Sequence, residues 1–246
     1  MTPKEDTFSE KPERLAKVMA RSGVCSRRES ERWIADGRVR MNEALVETPA
    51  TLVVSTDMIE VDGRLLPKKE KTRMWLFHKP RGVVTTHFDP EGRETLFDLL
   101  PSHLPDHVIS VGRLDLMSEG LILLTNDGEV ARKLEHPESE IPRIYQVRIF
   151  GHLDPLGLEQ LTKGMTVNGV DYGPIQWRRG PQKGDNQWLE MTLTEGKNRE
   201  IRKVIDHIGG RVNRLIRVAY GPFKLGDLEL GKLREIPSAA LTGFLQ

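Results

Sequence analysis

The sequence of 246 residues contains one cysteine, Cys25, and no long apolar segment. A single cysteine excludes an internal disulfide and any zinc site made only of cysteines. No run approaches the roughly 18 apolar residues of a membrane span, and residues 1–11 are polar, without the apolar core of a secretion signal. These absences predict a cytoplasmic protein with a disordered lead-in over residues 1–11.

Signatures of nucleotide and metal chemistry are also missing. No glycine-rich nucleotide loop follows an expected strand, and the histidines do not have the spacing of metal ligands. We therefore expect neither a cofactor nor a metal ion. The formal net charge is only +1, so a nucleic-acid site would have to come from local clusters of basic residues.

A charged segment predicts two domains. Residues 67–73 have no apolar side chain beyond Pro67, which is typical of an exposed linker. This linker would separate a small N-terminal domain over residues 12–66 from a larger domain over residues 74–244.

Helix and turn signals give the small domain its expected elements. Pro12 predicts the start of one helix, and Ser26 with Glu29 forms a capping box that predicts a second. Short strands follow, and Asp62-Gly63 predicts a hairpin turn. Residues 11–40 carry nine Lys and Arg against four acidic residues, a cluster that either binds phosphates or forms an ordinary solvated face.

The larger domain is expected to be organised around residues 111–125. An apolar run at residues 121–124 predicts a buried strand, and Asn126 followed by Glu129 predicts the start of a helix. The preceding polar loop would be held on a rigid strand–turn–helix unit, which favours Asp115 as a reactive carboxylate. Spacing alone does not distinguish Asp115 from an ordinary solvated aspartate.

Two further segments carry candidate site residues. Residues 143–150 predict a strand with Tyr145 on the same face as Val147 and Ile149. Residues 201–208 have the apolar spacing of a buried helix stripe, and residues 197–217 hold seven Lys and Arg against two acidic residues. The start of this helix is a natural phosphate site. We also expect a short helix at residues 95–100 and a strand at residues 214–223.

These stretches resemble known motifs. Gly112-Arg-Leu-Asp115, followed by Gly-Leu-Ile-Leu-Leu-Thr-Asn-Asp-Gly at residues 120–128, resembles the catalytic motif of the RNA pseudouridine synthases, in the RsuA family. Lys79-Pro-Arg-Gly resembles the opening motif of that family, and residues 195–202 resemble its third motif. In the small domain, residues 14–18, 26–29 and 37–42 resemble an S4 RNA-binding domain.

The resemblance implies an α+β protein, in which an S4 domain precedes a catalytic domain with a mixed, mainly antiparallel sheet flanked by helices. It implies cofactor-free isomerisation of uridine to pseudouridine in ribosomal RNA. Asp115 would act at the target ribose, either adding to C1′ or removing a sugar proton. Tyr145 would lie against the uracil, although Arg143 stands where the family motif usually has lysine. Arg202 would pair with Asp115 and keep it ionised.

The resemblance also implies RNA contacts by side chains of its motifs. In the small domain these are Arg14, Lys17, Arg27, Arg28, Arg38 and Arg40, and in the larger domain Lys79, Arg113, Lys197, Asn198 and Arg199.

The expected substrate is 23S rRNA of the large subunit. The form of the third motif and the length of residues 151–185 resemble the RluB branch of the family more than the RsuA branch. The alternatives are a 16S rRNA enzyme and a non-catalytic S4-type RNA-binding factor of ribosome assembly. The protein is expected to act as a monomer on rRNA or pre-ribosomal particles, without a membrane.

Overall fold

The computed structural model describes residues 11–67 and 70–245, and the side chains as far as residue 241. The lead-in expected over residues 1–11 therefore lies outside the described residues except for Lys11, as do residues 68–69 of the expected linker. The chain forms two compact units. The smaller contains the chain up to Arg73 together with residues 102–109 and 126–128, and the larger contains the remainder.

The smaller unit is built from two short helices and short strands. In chain order these are β1 (Glu13–Arg14), α1 (Leu15–Arg21), α2 (Arg27–Ala35), β2 (Val39–Met41), β3 (Ala44–Leu45), β4 (Leu52–Val53), β5 (Ile59–Val61) and β6 (Arg64–Leu65). Strands β3-β2-β5-β6 form one antiparallel sheet, and β1 pairs with β4. Leu15, Met19 and Ile34 from the two helices are fully buried among the strand side chains.

The local signals in the smaller unit act as expected, with one exception. Ser26 and Glu29 form the capping box at the start of α2, and Asp62 and Gly63 both have positive φ, as a type I′ hairpin turn requires. The helix expected from Pro12 begins instead at Leu15. Its first residues are taken by β1, because a strand partner later in the chain supplies backbone hydrogen bonds that the local signal does not reveal.

From Met74 onward the chain forms a large sheet with flanking helices, and a separate antiparallel pair of strands, Met165–Val167 with Val170–Tyr172. The strands are β7 (Met74–Lys79), β8 (Ile109–Val111), β9 (Glu119–Thr125), β10 (Arg143–Phe150), β11 (Met165–Val167), β12 (Val170–Tyr172), β13 (Gln176–Lys183), β14 (Asn186–Leu193), β15 (Arg211–Tyr220), β16 (Phe223–Lys224) and β17 (Leu233–Glu235). The helices are α3 (Gly128–Glu135), α4 (Pro155–Leu161), α5 (Glu200–His207) and α6 (Ser238–Leu245).

The main sheet has the strand order β13-β14-β10-β15-β9-β7-β17, with β16 beside β15 and β8 beside β9. Strands β9 and β15 run parallel and pair through Glu119–Ile216 and Gly120–Arg217, whereas the pairs of β10 with β14 and β15, and of β7 with β9 and β17, are antiparallel. Every residue of β9 is buried, which explains its continuous apolar run. In β10, buried and exposed residues alternate, with Tyr145 on the buried face as expected.

Three expectations for the larger domain were wrong in detail. Residues 95–100 contain only a 3-10 turn, Phe97–Leu99, where a helix was expected. Strand β15 begins at Arg211 rather than residue 214, since its partner β10 is long enough to pair with it there. Helix α3 begins at Gly128, and the Asn126 side chain binds the backbone of Lys71 and Arg73.

Candidate active site

The loop that carries Asp115 is anchored along its whole backbone. Each carbonyl from residue 114 to residue 118 accepts at least one hydrogen bond. The donors are Thr85 Oγ1 to Leu114 (2.9 Å), Lys79 Nζ to Asp115 (3.3 Å) and Ser118 (3.0 Å), Gly82 N to Leu116 (2.8 Å) and Arg202 Nη2 to Met117 (2.9 Å). Ser118 N also donates to Asp115 O at 3.0 Å, which closes a β-turn. The backbone of Asp115 is therefore fixed before any substrate binds.

Lys79 lies beneath this loop. Its side chain is fully buried, and its ammonium group donates to the carbonyls of Pro80, Asp115 and Ser118. Burial lowers the pKa of Lys79 to about 8. The expectation that Lys79 contacts RNA is wrong, because a side chain with no exposed surface and three backbone acceptors cannot reach a phosphate.

The loop passes into β9 through Gly120, where β9 meets β15. Gly120 has φ of 104°, and a Cβ at this position would collide with the backbone of Arg217. Arg217 is itself buried, and its Nε donates to Leu121 O at 2.7 Å. A glycine is therefore required by both the backbone angle and the close approach of the two strands.

The Asp115 carboxylate is partly exposed and faces the start of α5. Its side chain is 31% exposed, and Arg199 Nη1 lies 3.8 Å from Asp115 Oδ2. Arg199 is the N-cap residue of α5 and has a left-handed backbone with φ of 52°. This places a cation beside the carboxylate at the helix N-terminus.

Arg202, expected to form that ion pair, is held elsewhere. Its guanidinium donates to Met117 O and to Val212 O (3.2 Å). Burial lowers the pKa of Arg202, and the nearby charge of Asp115 opposes this. Among the described residues the ion pair seen at Asp115 is therefore with Arg199 and not with Arg202, because backbone carbonyls bind the guanidinium of Arg202.

Glu200 is a buried acid that the sequence reasoning missed. The residue is 4% exposed, its Oε2 accepts from Lys197 N at 3.1 Å, and its Oε1 has no partner among the described residues. Burial raises the pKa of Glu200 to about 7. The contact with Lys197 closes the turn that presents Arg199. The sequence signal that could have identified Glu200 is its position, an acidic residue within the Lys- and Arg-rich segment of residues 197–217.

Tyr145 and Arg143 have different positions on the same strand. Tyr145 is 9% exposed, and its direct neighbours across the sheet are Met191 and Arg217. Arg143 donates to the carbonyl of Thr194 and, at 2.9 Å, to the hydroxyl of Tyr220. The arginine in the place of the motif's lysine thus holds the strand ends rather than facing solvent.

The other expected RNA contacts of the larger unit lie at its surface. Arg113, Asn198 and Arg199 are exposed. Lys197 is also exposed, but its ammonium group binds the Glu195 carboxylate and the Asp171 carbonyl, both at 2.7 Å. Arg81, which was not among the expected contacts, is exposed and close enough for its charge to lower the pKa of Arg202.

The expected RNA contacts of the smaller unit fall into two groups. Arg14, Arg27 and Arg28 are exposed, and no side-chain bond of theirs is seen within residues 11–67 and 70–245. The other three are engaged within the unit: Lys17 with Glu13 (2.6 Å), Arg38 with Asp62 (2.6 Å) and Arg40 with the Glu43 carbonyl (2.7 Å). The first group has the free charge that phosphate binding requires.

Sequence profiles of two known families match the two units. The S4 domain profile matches residues 13–59, and the profile of RNA pseudouridylate synthases matches residues 73–207. The chain belongs to the RNA pseudouridine synthase family. It is therefore an RNA-modifying isomerase with an N-terminal S4 domain, which removes the alternative of a non-catalytic RNA-binding factor.

Relatives of this RNA pseudouridine synthase extend over nearly the whole chain. An RNA pseudouridine synthase of Rickettsia bellii is 46% identical over 224 residues, which cover 91% of this chain and 96% of that protein. Ribosomal large subunit pseudouridine synthase B of Haemophilus influenzae is 41% identical over 220 residues, covering 87% of this chain and 61% of its own length. The corresponding Pseudomonas aeruginosa protein is 42% identical over 231 residues, covering 91% and 59%.

A solved structure has the same fold. A crystal structure of a pseudouridylate synthase aligns with a TM-score of 0.66 and 23% identity, covering 93% of this chain and 98% of that one. The α+β architecture of an S4 domain followed by a mixed sheet with flanking helices is thereby confirmed.

Within residues 11–67 and 70–245 no three His, Cys, Asp or Glu side chains come together as metal ligands. No helix in the same ranges combines the length and apolar character of a membrane span.

Proposed function

We propose that this RNA pseudouridine synthase modifies a uridine of 23S rRNA in the large ribosomal subunit, with Asp115 acting at the target ribose and without a cofactor. Relatives of 41–42% identity that are named ribosomal large subunit pseudouridine synthase B support the choice of substrate. With rRNA as its substrate, the enzyme would act in the cytoplasm, where a bacterium assembles its ribosomes. A 16S rRNA substrate is the alternative.

The anchored loop is the observation that carries the role of Asp115. The reaction breaks the N1–C1′ bond, turns the uracil and joins C5 to C1′, and the C5 proton is replaced by a proton on N1. Substrate and product are isomers, so no oxidant or energy source is consumed. One ionised carboxylate at the ribose serves either route, addition to C1′ or removal of a sugar proton. Such a carboxylate must be held still, and the backbone bonds of residues 114–118 do this.

Two arginines support the carboxylate in different ways. Arg199, 3.8 Å from Asp115, places a positive charge beside the carboxylate and helps to orient it. Arg202 fixes the loop through Met117 O, so its role is positioning. Tyr145, on β10 and 9% exposed, would stack on the uracil. We expect Arg199→Met to lower the single-turnover rate by about tenfold, as loss of one exposed ion pair would.

Mapping pseudouridine in both rRNAs tests the proposal. Carbodiimide treatment followed by reverse transcription should locate one stop in 23S rRNA that disappears in cells lacking this protein. Wild type should restore the stop, and Asp115→Asn should not. With purified protein, Asp115→Asn should retain RNA binding while its rate falls by at least about 10⁴-fold.

The outcomes separate the parts of the proposal. If the stop that disappears lies in 16S rRNA, the proposed substrate is wrong, but the proposed role of Asp115 is unaffected. Normal turnover by Asp115→Asn would remove the assignment of the catalytic residue. No change in either rRNA would reject the ribosomal substrate.

A further inference from the structure

The loop of residues 86–93 presents an exposed aromatic ring, Phe88. Phe88 is 78% exposed, more than any other large apolar side chain among the described residues. The preceding residue, His87, stacks on Phe97 with a ring-centroid distance of 3.5 Å and an interplanar angle of 15°. The Phe88 ring thus stands in solvent next to a side chain that is held by a ring contact.

This loop is held by its own side chains on both sides of Phe88. Before it, Thr86 Oγ1 donates to Phe88 O at 2.8 Å and accepts from Phe88 N at 3.3 Å. After it, Asp89 accepts from the backbone N of Arg93 (2.9 Å) and from its guanidinium (2.8 and 3.0 Å). Arg93 also pairs with Glu91 at 3.0 Å, which offsets the acidic charge of the loop. The ring is therefore presented by a preorganised backbone.

The same loop is tied to the catalytic loop. Thr85 Oγ1 donates to Leu114 O at 2.9 Å and accepts from Leu114 N at 3.4 Å, directly beside Asp115. Val84 closes the base of the loop through Glu94 O and Leu96 N, at 3.1 and 2.8 Å. Phe88 lies three positions after Thr85, a span of at most about 10 Å. Phe88 thus stands within the reach of nucleotides that flank a uridine bound at Asp115.

An exposed aromatic ring on a loop bonded to the catalytic loop is suited to stack on an RNA base. A uridine inside a helix must leave its stack before its ribose can meet a carboxylate, and this unstacking costs free energy. An aromatic side chain recovers part of that cost, since every base has a face on which it can stack. We propose that Phe88 stacks on the RNA bases beside the target uridine and stabilises the extruded state. This inference rests on the proposed function, because it requires an RNA in which the modified uridine starts out stacked.

Two RNA substrates test the proposal. Both carry the neighbours of the uridine that wild type modifies in rRNA. In a hairpin this uridine is paired with adenine in the stem, and in a linear oligonucleotide it is unpaired. Single-turnover rate and Kd are measured for wild type, Phe88→Ala and Phe88→Trp. Leu156→Ala is the control, because Leu156 is 74% exposed and lies on α4, away from the catalytic loop in sequence.

We expect Phe88→Ala to lower rate over Kd on the hairpin by roughly 10- to 100-fold, the range for one lost base stack. On the linear RNA it should remain within about twofold of wild type, because no extrusion is needed. Phe88→Trp should restore the hairpin rate, and Leu156→Ala should match wild type on both substrates. The thermal unfolding midpoint of Phe88→Ala should be unchanged, since the ring is exposed.

Three results would overturn the inference. One is a Phe88→Ala variant as active as wild type on the hairpin. Another is an equal loss on both RNAs, which would indicate general binding or a structural role. The third is a Trp variant as slow as the Ala variant. If wild type modified no uridine in either rRNA, the proposed function would fail instead, and the two failures are therefore distinguishable.

Discussion

Three basic residues of the S4 unit and two of the catalytic unit are used in opposite ways. In the S4 unit, Arg14, Arg27 and Arg28 are exposed, and the described residues supply no side-chain partner for them. In the catalytic unit, Lys79 and Arg143 are buried and donate to backbone carbonyls. The former have charge available for phosphates, whereas the latter act as fixed hydrogen-bond donors inside the protein.

The difference shows that a basic residue in a family motif can be either an exposed charge available to RNA or a buried hydrogen-bond donor. Lys79 belongs to a stretch that resembles a synthase motif and Arg27 to one that resembles an S4 domain, and both were expected to contact RNA. Burial separates them: Lys79 has no exposed surface, and Arg27 lies in the first turn of an exposed helix face. Substitution of the buried Lys79 should therefore change stability and chemistry, whereas substitution of the exposed Arg27 and Arg28 should change salt-dependent affinity.

Among the substitutions that test this comparison, Lys79→Met should have the largest effect on stability and on the single-turnover rate. Methionine keeps the approximate length and removes the donor, so the carbonyls of Pro80, Asp115 and Ser118 lose a partner. We expect the free energy of unfolding to fall by about 3 kcal/mol, the cost of buried unsatisfied carbonyls. The single-turnover rate should fall further than stability alone explains, because the Asp115 loop loosens. Thermal unfolding and single-turnover kinetics at low temperature measure the two effects.

Lys224→Met is the matched control for this substitution. Lys224 is exposed, so its loss should change neither quantity measurably. A Lys79→Met variant with wild-type stability and rate but weaker RNA binding would reverse the comparison, because Lys79 would then behave as a surface contact.

A smaller, pH-dependent effect is expected at Glu200. Its pKa of about 7 in the folded protein lies above the ordinary value of 4.5. The folded state therefore keeps a proton that the unfolded state has released, so stability is fully present below pH 4.5 and is lost as pH rises through 7. Glu200→Gln should raise the unfolding free energy by about 1–3 kcal/mol at pH 8. At pH 4.5 it should have little effect.

Thermal unfolding across this pH range tests the expectation for Glu200. Glu229→Gln, at an exposed position, should give the same small change at every pH. A flat profile for Glu200→Gln would show that the buried carboxyl has a partner in solution that holds its charge.

Substitutions in the S4 unit should have the smallest effect on the stability of the protein. Arg27→Ala combined with Arg28→Ala should leave the unfolding midpoint unchanged and weaken RNA binding by about tenfold. The slope of log Kd against log salt concentration should fall by about 1.5, as for two lost phosphate contacts. Single-turnover chemistry at saturating enzyme should persist.

Arg64→Ala removes one charge from the same unit at a position outside the expected RNA contacts, and the slope should not change. An equal loss from Arg64→Ala and from the double variant would assign the binding to general charge rather than to the start of α2.

Much of the fold follows from local patterns, and the site follows only in part. The alternation of residues 143–150 and the Ser26–Glu29 capping box depend on neighbours in sequence, and both are found as expected. The role of Lys79 depends on carbonyls 36 and 39 residues away, which no local pattern reveals. The same holds for the finding that Arg199 and not Arg202 lies beside Asp115. The guanidinium of Arg202 donates instead to a backbone carbonyl of β15.

The short segment of residues 126–128 has a consequence for dissecting the protein. Although it follows β9, it belongs to the smaller unit, where Asn126 binds Lys71 and Arg73 and Asp127 accepts from Thr72 at 2.8 Å. Cutting the chain before residue 74 would remove the partners of these side chains, which follow directly after β9. A chimaera that replaces the S4 domain with another RNA-binding domain would therefore have to keep residues 71–73.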